Sequence, residues 1–230
     1  MVRGWSACMV VSASSTLPTV SMRLPSLQLL PLLVVTLGMS GEACLPTFPS
    51  TTGLGAGFTD DFSDAALASR YRLGGGSWRV VDGQLTTLGD SNLPLWLNAP
   101  LSQNTRIEFT STSSAPAVDM KVEVFGDGIR HESGYIVVVG GWNNTLTAIA
   151  RLDEHEATRV TRRTRFEANR PYRWRIERND GRRLQLFLDD ELLVAYDDPF
   201  PLFGPRNNRF AFSGWESEVT FDNLRITPLP

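Results

Sequence analysis

Lysine is nearly missing from this chain: Lys121 is the only one among 22 basic residues, the rest being arginine. That bias reads as GC-rich coding and carries no functional message. Cysteine is equally scarce, with only Cys8 and Cys44, so nothing beyond position 44 can form a disulfide or a thiolate metal site. Histidine is limited to His131 and His155. There is no His-x-His pair and no Gly-x-Ser-x-Gly elbow, which leaves a zinc hydrolase or a serine nucleophile without support. The formal net charge is -3, so the balance gives no reason to invoke nucleic acid as a partner. A long apolar run with a 3.6-residue period is also lacking beyond the N-terminal region, which argues against helical architecture.

What the N-terminus does have is a secretory pattern. From Met22 it reads "MRLPSLQLLPLLVVTLGMSGEAC": one arginine, an apolar run to about Leu37, small residues, then Cys44. Charge followed by a short apolar run and a small-residue exit describes a signal peptide rather than a membrane anchor. Residues 1–21 add nothing to it, so Met22 is a second candidate start. Cys44 stands where bacterial lipoproteins carry their lipidated cysteine, with Ala43 fitting that motif and Gly41 and Glu42 departing from it. Gly41 and Ala43 equally suit small-x-small cleavage to a secreted form. We therefore expect residues 1–44 to direct export to a bacterial cell envelope, with membrane attachment only through a lipid on Cys44. Residues 45–57, "LPTFPSTTGLGAG", are charge-free and rich in Pro, Thr and Gly, a tether composition. One folded domain is expected over 58–228.

Within that domain, short alternating runs recur between turn residues. "SWRVVDGQLTT" is a hairpin about Asp82-Gly83, both tolerant of positive φ. "YIVVV" at 135–139 is apolar on both faces, as a central strand is. "PYRWRIERNDG" sets Tyr172, Trp174 and Ile176 on one face and reverses at Asn179-Asp180-Gly181. The one helix candidate is a turn or two in "SDAALASRY", capped by Ser63. The expected class is all-β, a sandwich of two antiparallel sheets.

The openings "FTDDFSDAALASRYRLGGGSWRVVDGQL", "PYRWRIERNDGRRLQLFLDDELLVAYDDP" and "FAFSGWESEVTFDNLRI" resemble concanavalin A-like (laminin-G/glucanase-type) jelly-roll domains. Within that superfamily the chain is most similar to the 3-keto-disaccharide hydrolase-like group of surface proteins. The likeness covers about 58–228 and is structural in its motifs. One departure is Asp190-Glu191, standing where an Asp-Gly turn is common. The resemblance implies a concanavalin A-like sandwich that recognises carbohydrate, and one such fold hosts many activities.

Candidate site residues follow from local context. Glu216 and Glu218 stand two apart on what reads as one strand, near the separation of a glycosidase carboxylate pair. Laminarinase-like relatives use Glu-x-Asp-x-x-Glu, which is absent here, so the pair also reads as the wet face of a half-buried strand. On that reading Trp215, with Trp78 and Trp174, belongs to the core. Beyond Asp222 the apolar parity breaks, which predicts a bulge or strand end. Trp142, in the turn "GGWNNT", is a candidate to stack on a sugar, with Asn143 and Asn144 binding hydroxyls; Trp96 in "LPLWLNAP" is a second. The concanavalin A-like resemblance implies a structural calcium between first and last strands, for which Asp60, Asp61 and Asp222 are the oxygen donors available. His131 and His155, each flanked by carboxylates, read as solvated loop residues. Finally, residues 159–183 hold ten arginines with acids on either side, expected to pair across strands rather than to bind an anionic glycan. The function expected is a monomeric, non-catalytic carbohydrate-binding module; a glycoside hydrolase or lyase and an adhesive surface protein are the alternatives.

Overall fold

The computed structural model describes residues 57–230, so the signal segment, Cys44 and the tether through position 56 lie outside the described residues. The chain begins with short strands: β1 (Phe58–Asp60), β2 (Tyr71–Leu73), β3 (Arg79–Val81), β4 (Gln84–Leu88) and β5 (Leu95–Leu97). Longer ones follow: β6 (Thr105–Ser113), β7 (Met120–Gly126), β8 (Tyr135–Gly140) and β9 (Leu146–Arg151). Then come β10 (Val160–Arg163), β11 (Tyr172–Arg178), β12 (Arg183–Leu188) and β13 (Glu191–Asp197). Strands β14 (Arg209–Gly214) and β15 (Glu218–Pro228) close the domain.

These strands form two antiparallel sheets, the jelly-roll sandwich that the alternating sequence predicts. One sheet runs β13-β12-β11-β6-β15-β4-β3, with β1 also pairing to β15. The other runs β10-β9-β8-β7-β14-β5-β2. The β3–β4 hairpin turns at Asp82-Gly83, with φ of 49° and 76°, as its sequence requires. Strand β15 shifts register between Asp222 and Arg225, with Asn223 at φ 56°, which is the predicted break in parity.

The candidate helix has the expected length but not the expected cap. It is a single 3-10 turn, Leu67–Ser69, and Ser63 does not cap it. Instead the Asp64 carboxylate accepts the Ala66 N–H at 2.8 Å and Arg70 binds back onto Asp64. Short polar side chains here satisfy the backbone locally, which competes with further helical turns.

Between the sheets lies an aromatic core. Phe109 of β6 stacks on Trp174 of β11 at 5.0 Å and meets Phe212 of β14 edge-on at 5.6 Å; Phe212 in turn packs 4.6 Å from Phe221 of β15. Each residue comes from the inward parity of its strand, and together they bind the two sheets.

The second sheet is buried on its outer face too. Lys121, Glu123, Ile136, Val138 and Ala148 all point away from the core and are nevertheless buried. Loops fold back over them: Asn92 and Glu154 reach Lys121, and His131 reaches Glu123. This cover makes room for a cleft at one end of the sheet.

Candidate functional site

The cleft forms where β7 and β9 begin and β8 and β14 end. Lys121 and Val138 are cross-strand neighbours on β7 and β8, and both face it. Asp119 precedes β7, the turn Gly141–Asn144 carries Trp142 and Asn143, and Trp215 to Ser217 link β14 to β15. The loop after β9 doubles back to bring Glu154 and His155 over the sheet. The volume of this open cleft is about 450 Å³, within the range of small-ligand sites of about 300–1,000 Å³.

Backbone strain gathers at this rim. Asp119, Trp142, Asn143 and Glu216 all have positive φ, at 38°, 51°, 58° and 49°. For an L-residue the left-handed region costs about 1–2 kcal/mol, and such strain tends to cluster at functional sites. Gly140 permits the arrangement, because a Cβ there would fall 2.8 Å from Val118 Cγ1.

The electrostatics centre on two groups. Lys121 Nζ is buried, donates to Glu154 Oε2 at 2.7 Å and Asn92 Oδ1 at 2.9 Å, and lies 5.5 Å from the Trp215 ring centre. Asp119 is 8% exposed, and its Oδ1 has no hydrogen-bond partner. Burial pushes the Asp119 carboxyl up to about 6, Lys121 opposes that rise, and the charges of Glu154 and Glu216 add to it. Deeper under the loops, Glu123 is held against His131 Nδ1 at 2.7 Å, and burial raises its carboxyl as well.

The sequence candidates divide. Trp142, Asn143 and Glu216 come together in the cleft. Trp142 is half-buried, edge-on to His155 at 6.0 Å and 5.1 Å below the Arg159 guanidinium. Asn144 is buried instead, its side chain bonded to the carbonyls of Pro116 and Phe166 and to the Phe166 N–H, so it locks the turn. Trp96 is fully buried against Gly126, where a Cβ would lie 2.2 Å from its ring, and it offers no face to a ligand.

Glu216 and Glu218 do not share a strand. Glu216 sits in the bend before β15, whereas Glu218 begins that strand and pairs with Leu88 of β4 in the same sheet. Trp215 leaves the core for the same reason and is 40% exposed. Asp60, Asp61 and Asp222 are not gathered. Asp60 binds Arg70 and the Tyr71 hydroxyl, Asp61 caps Ser63, and Asp222 accepts its neighbour's N–H. Among the described residues no cluster of three metal-ligating side chains is present.

Sequence reasoning missed Asp119, Lys121, Glu154 and Trp215. Lys121 and Glu123 alternate with core residues and so read as an ordinary wet face. The available signal was the lone lysine on a strand adjoining the doubly apolar β8.

Comparison with solved structures finds the same kind of fold in other proteins. The chain is similar to carbohydrate-binding module CBM66 from Bacillus subtilis, with a TM-score of 0.55, 17% identity, and coverage of 67% of this chain and 92% of that one. The likeness is one of fold. A sialidase matches with a TM-score of 0.57 and 9% identity over 75% of this chain, but over only 18% of its own length. The carbohydrate recognition domain of Emp47p matches with a TM-score of 0.51 and 12% identity, over 75% of this chain and 96% of that domain. No family profile and no curated protein sequence matches the chain.

Proposed function

We propose that the domain is a carbohydrate-binding module of the bacterial cell envelope and that the cleft beside Trp142 and Trp215 holds the glycan. The observation that carries this is two accessible indoles bordering one cleft that is also lined by carboxylates and Asn143. Indole faces stack on the apolar faces of sugar rings, while carboxylates and amides fix the hydroxyls. Similarity of fold to a carbohydrate-binding module and to a carbohydrate recognition domain supports the reading. Retardation in native gels cast with β-glucan, xylan, pectin or alginate tests it. Trp142→Ala and Trp215→Ala should each weaken retardation at least tenfold, and unchanged mobility of both variants would reject the cleft.

A hydrolase is the second reading, favoured by one observation. A carboxyl raised to about 6, as Asp119 is, can serve as a general acid near neutrality, with Glu216 as the other carboxylate of the cleft. Clearing around the retarded band, lost in Asp119→Asn, would establish it; retardation without clearing favours the binding module. The lipid anchor remains a proposal from sequence. Fatty-acid labelling that disappears in Cys44→Ser would support it.

A further inference from the structure

We propose that the cleft selects glycans carrying a protonated primary amine, with Asp119 as the carboxylate that receives it. The proposal rests on reading the cleft as a glycan site and adds the chemistry of its ligand. Asp119 borders the cleft and is more than nine-tenths buried, and no donor of the described residues bonds either of its carboxylate oxygens. A buried, unpaired carboxylate oxygen is costly in the free protein, so a ligand that satisfies it recovers free energy on binding.

Charge decides what that ligand is. Three carboxylates border the cleft, from Asp119, Glu154 and Glu216, against the ammonium of Lys121, with the Arg159 guanidinium 5.1 Å from the Trp142 ring. Lys121 is already occupied, by Glu154 and Asn92, and it is buried. His155 stands 3.7 Å from the other oxygen of Glu154 and so adds nothing toward Asp119. Arg159 is engaged too, donating to the Glu154 carbonyl at 3.2 Å, so among the described residues Asp119 and Glu216 are left without an ion-pair partner. A uronate or sialate would bring a further negative charge into this surrounding and be repelled. A hydroxyl could offer Asp119 one neutral hydrogen bond. An ammonium offers a charge-assisted one, and its field is also favourable over the indoles of Trp142 and Trp215.

The test is isothermal titration of the purified protein at pH 7 with β-1,4-linked glucosamine and galactosamine tetramers, their N-acetylated counterparts and tetragalacturonate. The expected result is binding of a free-amine tetramer at least tenfold tighter than its N-acetylated form, with no binding of the galacturonate. Asp119→Asn should collapse that preference to within about threefold, and Glu216→Gln, at an exposed position that does not threaten folding, should reduce it partly. An N-acetylated or anionic tetramer binding as tightly as the amine would overturn the amine proposal alone and leave the glycan site standing. So would a preference that survives Asp119→Asn. Absence of binding to every tetramer, together with no retardation in any polysaccharide gel, would overturn the glycan reading and this proposal with it.

Discussion

Asp119 sets a stability cost that can be read as a function of pH. Its unfolded-state carboxyl titrates near 3.8, whereas burial carries the folded one to about 6. Between these values the native state holds a proton that the unfolded state has lost, so stability falls as pH rises through that window. At about 1.4 kcal/mol per unit, the cost at pH 7 is on the order of 2–3 kcal/mol. Asp119→Asn keeps the shape and removes the charge, though its amide is also left poorly satisfied, so about 1–2 kcal/mol should be recovered. Thermal unfolding should show the variant raised by several degrees at pH 7.5, at about 2–4 °C per kcal/mol for a domain of this size. At pH 4.5 the gap should close, and a gap that is equal at both values would mean that Asp119 is not buried as a charge. Trp142 belongs to the same scale. Its positive φ was not legible from the sequence, because a bulky residue is rarely placed there; Gly140, the Asn144 clamp and the Thr145 hydroxyl on the Trp142 carbonyl hold the turn.

At the scale of elements, the hairpin joining β12 and β13 shows where turn chemistry is imperfect. The sequence suggests Asp190-Glu191 as the turn, but the turn residues are Asp189 and Asp190, at φ of 48° and 69°, and Glu191 is already in β13. Both positions take the left-handed conformation that a two-residue hairpin requires. Asp190→Gly should stabilise the domain by about 0.5–1 kcal/mol. The change also removes the Arg173 ion pair at 3.0 Å, but both side chains are largely exposed and such pairs contribute little. A urea midpoint that falls instead would show that the ion pair outweighs the turn. The hairpin register itself was legible, since β11 and β12 keep their apolar residues in phase on either side of Asn179-Asp180-Gly181. The bend before β15 was not. In "GWESEVTF" the parity of Trp215, Val219 and Phe221 is interrupted only by Ser217, and the positive φ of Glu216 separates Trp215 and Glu216 from the strand.

For the whole molecule, part of the arginine-rich stretch forms ion pairs near the surface, but not between paired strands as the sequence suggests, and Arg178 is instead buried on the carbonyls of Gln103 and Leu202. Arg162 meets Glu191, Arg170 meets Asp189, and Arg182 meets Asp197, at 2.7, 2.7 and 2.8 Å. Screening by salt should move the melting temperature little, because each exposed pair contributes only about 0–1 kcal/mol. The single aromatic core spanning both sheets leads to a further expectation. A chain of residues 57–230 should unfold in one cooperative transition, with tryptophan fluorescence and far-ultraviolet circular dichroism coincident. Separate transitions would mean that the two sheets do not share one core.

The sequence by itself determined the all-β class, the hairpins at Asp82-Gly83 and Asn179-Asp180-Gly181, the break in β15 and the inward parity of Tyr172, Trp174 and Ile176. Those features are local, written in a period of two and in turn residues that tolerate positive φ. Only the tertiary structure decided what covers the outer face of the second sheet. Parity says that Lys121, Glu123 and Trp96 point away from the core, but not that loops close over them. Nor can it place Asp119 beside Glu154 and Glu216, which are 35 and 97 positions further along the chain. The cleft is made by loops returning over a sheet, and that return depends on contacts far apart in sequence, which no local period records.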